Sequence, residues 1–271
     1  MNFNEKLSKI VNKNNSLLCV GLDIDKEKMP KYLFESSKSP YLEFNKKIID
    51  ATKDFVCSYK LNMAFYEVLG KKGLDILEKT IRHIPKEIIV ILDGKRNDIG
   101  NTAELYAKGL YETFKADGAT VNPYLGIDGI KPFLNYKDKC SFILCRTSNP
   151  SASDLQDLKI SNTPLYEVVA NKIKEWNKFG TCGAVVGATY PEELKLIRKI
   201  LGDEIPILIP GIGAQGGDVK KTVEYGSNCS GDLAIIVSSR GIIYCSNDKD
   251  FNKTASDAAS NLRDEINKYR R

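Results

Sequence analysis

Eight short apolar runs, each about as long as a buried strand, constrain the fold more than any other feature of the sequence. They cover residues 17–23, 55–62, 88–95, 119–125, 142–148, 184–189, 205–211 and 233–240, and are rich in Val, Ile and Leu. A strand wetted on one face alternates apolar with polar residues, whereas a continuous apolar run belongs to a strand covered on both faces. Between the runs, apolar residues recur at helical spacing. Leu74, Leu77 and Ile81 form one set, and Leu194, Ile197 and Leu201 form another after a Pro191-Glu192-Glu193 start. Ser39-Pro40 opens a helix carrying Phe44, Ile48 and Ile49. Residues 165–179 place Val168, Val169, Ile173 and Trp176 on one stripe, and 251–271 read as a closing helix. Eight strand–helix units in 271 residues predict a single (β/α)8 TIM barrel over 1–271. Periodicity alone also allows a doubly wound open sheet. No linker, repeat or low-complexity tract divides the chain.

Composition narrows the function. Apolar residues (42%) and charged residues (28%) suffice for a core and a solvated surface, which excludes a disordered chain. No apolar run approaches the ~20 residues of a membrane span. The start, Met1-Asn2-Phe3-Asn4-Glu5-Lys6-Leu7, lacks a secretory apolar stretch, so a cytoplasmic protein without a membrane partner is expected. The net charge of +5 comes from interleaved basic and acidic residues, which argues against a nucleic-acid partner but would draw in a small anion. Seven cysteines occur without a Cys-x-x-Cys pair. Cys19, Cys57, Cys145 and Cys182 fall in apolar runs and read as buried reduced thiols. His83 is the only histidine and suits a helix end. A two-histidine zinc site and any triad needing a second histidine are therefore excluded. Chemistry falls to carboxylates, lysines and backbone amides.

In a βα barrel those groups belong at the C-terminal strand ends. The third run, Ile88-Ile89-Val90-Ile91-Leu92, passes without a polar transition into Asp93-Gly94-Lys95-Arg96-Asn97-Asp98. Strand alternation puts Asp93 and Lys95 on one side, facing the barrel mouth. A solvated loop with ordinary ion pairs is the bland alternative. Lys60 ends the second run in the same way, where a lysine can also simply snorkel. The seventh run leads through Pro210-Gly211-Ile212-Gly213-Ala214-Gln215-Gly216-Gly217-Asp218 into a helix start, and Arg240 ends the eighth. Glycine N–H groups, the Gln215 amide and the Arg240 fork would suit a phosphate, although a tight ligand-free turn explains the glycines alone.

Asp93-Gly94-Lys95-Arg96-Asn97-Asp98-Ile99-Gly100-Asn101-Thr102 resembles the Asp-x-Lys-x-x-Asp-Ile-x-x-Thr signature of orotidine 5′-monophosphate decarboxylases. Asp23, Lys60 with Asn62, Thr147-Ser148-Asn149-Pro150, Pro210 to Gln215, and Arg240 follow in the family's order, similar to its longer bacterial branch. Ser239 stands where many members have Gly.

The resemblance implies conversion of orotidine 5′-monophosphate to UMP and CO2 without metal or organic cofactor, as the last step of UMP synthesis. It implies that Lys60, Asp93, Lys95 and Asp98 form an alternating charge network in which Lys95 stabilises and protonates the C6 carbanion. Asp23, Lys60 and Asn62 would bind ribose hydroxyls or flanking groups, and Thr147 and Ser148 would read the pyrimidine edge. Pro210, Gln215 and Arg240 would lie at the phosphate. Asp98, Ile99 and Thr102 would reach a neighbouring site in a homodimer. A magnesium-dependent sugar-phosphate decarboxylase or synthase of the same superfamily, or a non-catalytic nucleotide-binding protein, are the alternatives.

Overall fold

The computed structural model describes residues 1–213 and 216–270. Its strands β1 (Leu18–Gly21), β2 (Ser58–Asn62), β3 (Ile89–Arg96), β4 (Gly118–Val121), β5 (Cys140–Arg146), β6 (Cys182–Val186), β7 (Ile207–Pro210) and β8 (Ala234–Ser238) each overlap one of the eight apolar runs. All are parallel, and Leu18 of β1 pairs with Ile236 of β8, which closes the sheet and excludes the open, doubly wound alternative. The fourth run stops being a strand at Val121 because Pro123 has no N–H for the ladder, and the Asn122 side chain instead accepts from the Tyr124 N–H in a short turn.

Helices wrap the barrel. The first, α1 (Phe3–Asn14), precedes the barrel and was not read from the periodicity. Its start is a capping box in which Asn2 accepts from the Glu5 N–H and Glu5 accepts from the Asn2 N–H. Next come α2 (Pro40–Thr52), α3 (Gly70–His83), α4 (Gly100–Lys108), α5 (Ile127–Leu134), α6 (Leu165–Trp176), α7 (Pro191–Leu201), α8 (Val219–Gly226) and α9 (Phe251–Asn267). The expected faces of α2 and α7 are buried. On α3 the buried stripe is Gly73, Ile76, Leu77 and Thr80, so Leu74 is exposed, contrary to the spacing argument. His83 does end α3, where it meets Asp50 at 2.9 Å. All seven cysteines are free, and Cys19, Cys57, Cys145 and Cys182 are buried as expected. Among the described residues, no helix is long and apolar enough to cross a membrane.

The lower end of the barrel is plugged by one ring. Phe142 of β5 lies between Gly118 of β4 and Gly183 of β6, where an added Cβ would come within 2.9 and 2.6 Å of it. Phe3 of α1 covers it edge to face, with centroids 5.6 Å apart. Two residues without side chains thus make room for one large one. Gly183→Ala should overpack this layer and destabilise the fold by about 1–3 kcal/mol. Urea unfolding of a double-mutant cycle with Phe142→Leu checks this, because the smaller aliphatic side chain should recover much of the loss.

Candidate active site

A cavity of about 520 Å³ opens at the C-terminal end of the barrel. Its inner wall is apolar, formed by Leu144, Val185, Leu208 and Val237, and its charged wall comes from β1, β2 and β3. Asp93 is the centre of that charged wall. Its Oδ2 accepts from Lys60 Nζ at 3.1 Å, and its Oδ1 accepts from Lys95 Nζ at 2.8 Å and from Thr120 Oγ1 at 2.8 Å. Burial opposes a charge on Asp93, but the two ammonium groups and the donated hydrogen bonds outweigh it and hold the carboxyl well below the usual range. Burial likewise opposes a charge on Lys60, yet Asp23 and Asp93 outweigh it and raise its ammonium above the ordinary lysine value.

Asp93 and Lys95 do share the cavity, but not through strand alternation. Between Leu92 and Arg96, β3 advances four residues while β4 advances two, from Ala119 to Val121. The chain bulges there, and Lys95 takes a left-handed φ of 44°. Such a conformation costs a non-glycine residue about 1–3 kcal/mol and persists only where its surroundings enforce it. Thr120, buried on β4 opposite the bulge, accepts from the Lys95 backbone N–H at 2.9 Å. Sequence reasoning passed over Thr120, since a threonine in a strand has many ordinary explanations.

Asp23 enters from the end of β1, with Oδ1 3.6 Å from Lys60 Nζ. That oxygen is buried and, among the described residues, makes no hydrogen bond. Its other oxygen accepts from Ser239 Oγ at 2.8 Å. Ser239 has a negative φ, so its backbone does not require glycine, and its side chain acts on Asp23 instead.

The opposite wall follows β5. Thr147 and Ser148 both line the cavity. The Thr147 hydroxyl donates to Asn149 and accepts from Gln156 Nε2, while the Thr147 N–H donates to Gln156 Oε1. Gln156, a further cavity residue that the motifs did not signal, thereby clamps the loop. Buried Arg146 backs it, paired with Asp157 at 3.1 Å and stacked 4.0 Å from the Tyr190 ring centre.

At the third wall, Pro210, Gly211, Ile212 and Arg240 line the cavity. The Arg240 guanidinium is exposed and forms no ion pair among the described residues. Gly213 has φ 86° and Gly216 has φ 77°, as glycines in a tight loop should. Gln215 lies outside the described residues. The α8 start is capped by Asp218, which accepts from the Lys221 N–H at 3.0 Å and so occupies that donor. The Asn62 side chain turns to accept from the Ala64 N–H and does not line the cavity. Asp98, Ile99 and Thr102 also lie outside their own chain's cavity. Asp98 accepts from the Ile99 N–H, and Ile99 and Thr102 are exposed.

These charges give stability a defined pH dependence. Asp93 titrates below its unfolded value of about 3.9, so the unfolded chain takes up the proton first and stability drains as pH falls below ~4. Lys60 contributes fully below its unfolded value of ~10.4 and loses that contribution as pH rises through its higher folded value. Urea unfolding of wild type and Asp93→Asn should therefore show a stability gap at neutral pH that begins to narrow only below about pH 4 and shrinks progressively with further acidification.

The chain is similar to known proteins along nearly its whole length. Residues 16–251 match the model of the orotidine 5′-phosphate decarboxylase / HUMPS family. The chain is 51% identical to a Dehalococcoides mccartyi protein named orotidine 5′-phosphate decarboxylase, covering 100% of this chain and 99% of that one. A Cellvibrio japonicus relative of the same name is 48% identical over 98% of each chain. The solved OMP decarboxylase of Leishmania donovani superposes with a TM-score of 0.86 at 35% identity, covering 99% of this chain and 98% of that one. That of Plasmodium berghei gives 0.85 at 27% identity, over 98% of each. With a family match over most of its length and near-complete alignment to these relatives, the chain belongs to the orotidine 5′-phosphate decarboxylase / HUMPS family.

Proposed function

We propose that this chain is one catalytic unit that decarboxylates orotidine 5′-monophosphate to UMP and CO2, a cytoplasmic lyase closing UMP synthesis. The observation that carries the reading is the Lys95 ammonium held 2.8 Å from a buried carboxylate in a cavity with an apolar inner wall. Loss of CO2 from C6 of the pyrimidine leaves an sp² lone pair that the ring delocalises poorly. A fixed cation beside C6 stabilises that pair, and the same ammonium then delivers the proton. Lys60 and Asp93 hold it in place without reorganisation.

Asp93 would lie near the substrate carboxylate. Two such charges about 4 Å apart repel by roughly 4 kcal/mol at an effective dielectric near 20, short of the ~8–23 kcal/mol that enzymes remove from barriers. Carbanion stabilisation by Lys95 supplies the larger part. Asp23, which lines the cavity, suits a ribose hydroxyl, and Thr147 and Ser148 suit the pyrimidine edge. Arg240, with Pro210 in the same cavity, suits the phosphate, whose binding energy positions the distant ring. A magnesium-dependent sugar-phosphate reaction is disfavoured because Lys60 already stands between Asp23 and Asp93, where a divalent cation would be repelled.

We also propose a homodimer with shared sites. Val68, Ile99, Leu105 and Tyr124 are exposed on the elements that follow β2, β3 and β4, on the side that carries Asp98 and Thr102. An apolar rim of this kind suits a second copy of the chain, to whose cavity Asp98, Ile99 and Thr102 would contribute.

EDTA-treated protein mixed with orotidine 5′-monophosphate should convert it to UMP, followed by ultraviolet absorbance; no conversion would sink the reading. Lys95→Ala should abolish turnover yet leave UMP binding nearly intact by calorimetry. Arg240→Ala should weaken UMP binding while scarcely changing that of uridine, and equal losses would remove the phosphate role. Unfolded and refolded together, inactive Lys95→Ala and Asp98→Ala subunits should regain activity in about a quarter of the sites, since each mixed dimer carries one intact site.

A further inference from the structure

We propose that Thr120 is a positioning residue for Lys95, its hydroxyl holding both the backbone and the charge partner of that lysine; its kinetic consequence rests on the decarboxylase reading above. The bulge in β3 takes Lys95 out of register with β4, because Leu92 pairs with Ala119 and the next pair is Arg96 with Val121. The Lys95 N–H therefore has no carbonyl opposite it, and an N–H left without a partner would disfavour this backbone. Thr120, the single β4 residue between the two pairs, fills the gap by accepting that N–H at 2.9 Å.

The same oxygen has one proton, and it is committed: Thr120 Oγ1 donates at 2.8 Å to Asp93 Oδ1, the oxygen that also accepts from Lys95 Nζ. One hydroxyl thus closes a ring from the lysine backbone through Thr120 and Asp93 to the lysine ammonium. Thr120 is 1% exposed, so water does not compete for either bond, although its residue lines the inner cavity. The left-handed φ of Lys95 needs such enforcement, and glycine, the usual residue there, could not carry the ammonium.

Thr120→Val keeps shape and removes the hydroxyl; Thr120→Ser keeps the hydroxyl and removes only a methyl. With orotidine 5′-monophosphate, the valine variant should lose on the order of 100-fold in kcat, the scale of a misplaced reacting group, with KM and UMP affinity nearly unchanged. The serine variant should retain kcat within about threefold. Thr120→Ala, which cannot overpack, repeats the test should valine fail to fold. Unaltered kcat in the valine or alanine variant, or an equal loss in serine, would overturn the proposal. Crystal structures provide a readout free of activity: Lys95 should leave the left-handed region in Thr120→Val and keep it in Thr120→Ser. If wild type does not turn over this substrate, the functional reading fails, and the position of Lys95 in those structures still decides the role of Thr120.

Discussion

A buried carboxylate gripped by two ammonium groups organises this molecule. Asp93 is reached from β2 by Lys60, from its own strand by Lys95 and from β4 by Thr120, so three neighbouring strands converge on one side chain. Neither Lys60 nor Asp93 would be stable alone inside the barrel, since a buried charge without its partner is strongly unfavourable. The two ammonium groups outnumber the Asp93 carboxylate by one, and Asp23, on the far side of Lys60, balances the row. The barrel supplies what the row needs: parallel strands whose ends lie side by side, and a register that places Lys60 opposite Ile91 and Asn62 opposite Asp93.

The surroundings show what this arrangement costs. Lys95 holds an uncommon backbone conformation, β3 surrenders regular pairing, and Asp23 keeps a buried oxygen without a hydrogen bond. Such local departures from the most stable choice concentrate where a site must stay preorganised for something not yet bound. The rest of the barrel follows ordinary rules, with apolar strands covered on both faces.

Much of this was legible in the sequence. Continuous apolar runs belong to strands covered on both faces, so the number of strands could be read from the sequence, while closure of the barrel over an open sheet was decided by the pairing of Leu18 with Ile236. The abrupt step from Leu92 to Asp93 marked the site, and Asp23, Lys60, Asp93, Lys95, Thr147, Ser148, Pro210 and Arg240 all line one cavity. What stayed hidden depends on register and on single rotamers. The period-two argument reached the right partner for Asp93 by the wrong route, because two extra residues in β3 leave no trace in composition. Thr120 and Gln156 were missed for the same reason: neither residue type is unusual, and only the fold sets them against the Lys95 backbone and the Thr147 loop. Asn62 went the other way, turning to cap a local loop. On α3, Gly73 packs inward and displaces Leu74 from the expected stripe.

The Phe142 ring, seated between two glycines and covered by Phe3, makes the barrel a cup and not a tube. Anything that reaches the charged wall must arrive over the rim and depart across it. A leaving fragment and an incoming molecule would therefore queue at one doorway, and the traffic rules of the rim loops, more than any rear exit, would govern how quickly the cup empties.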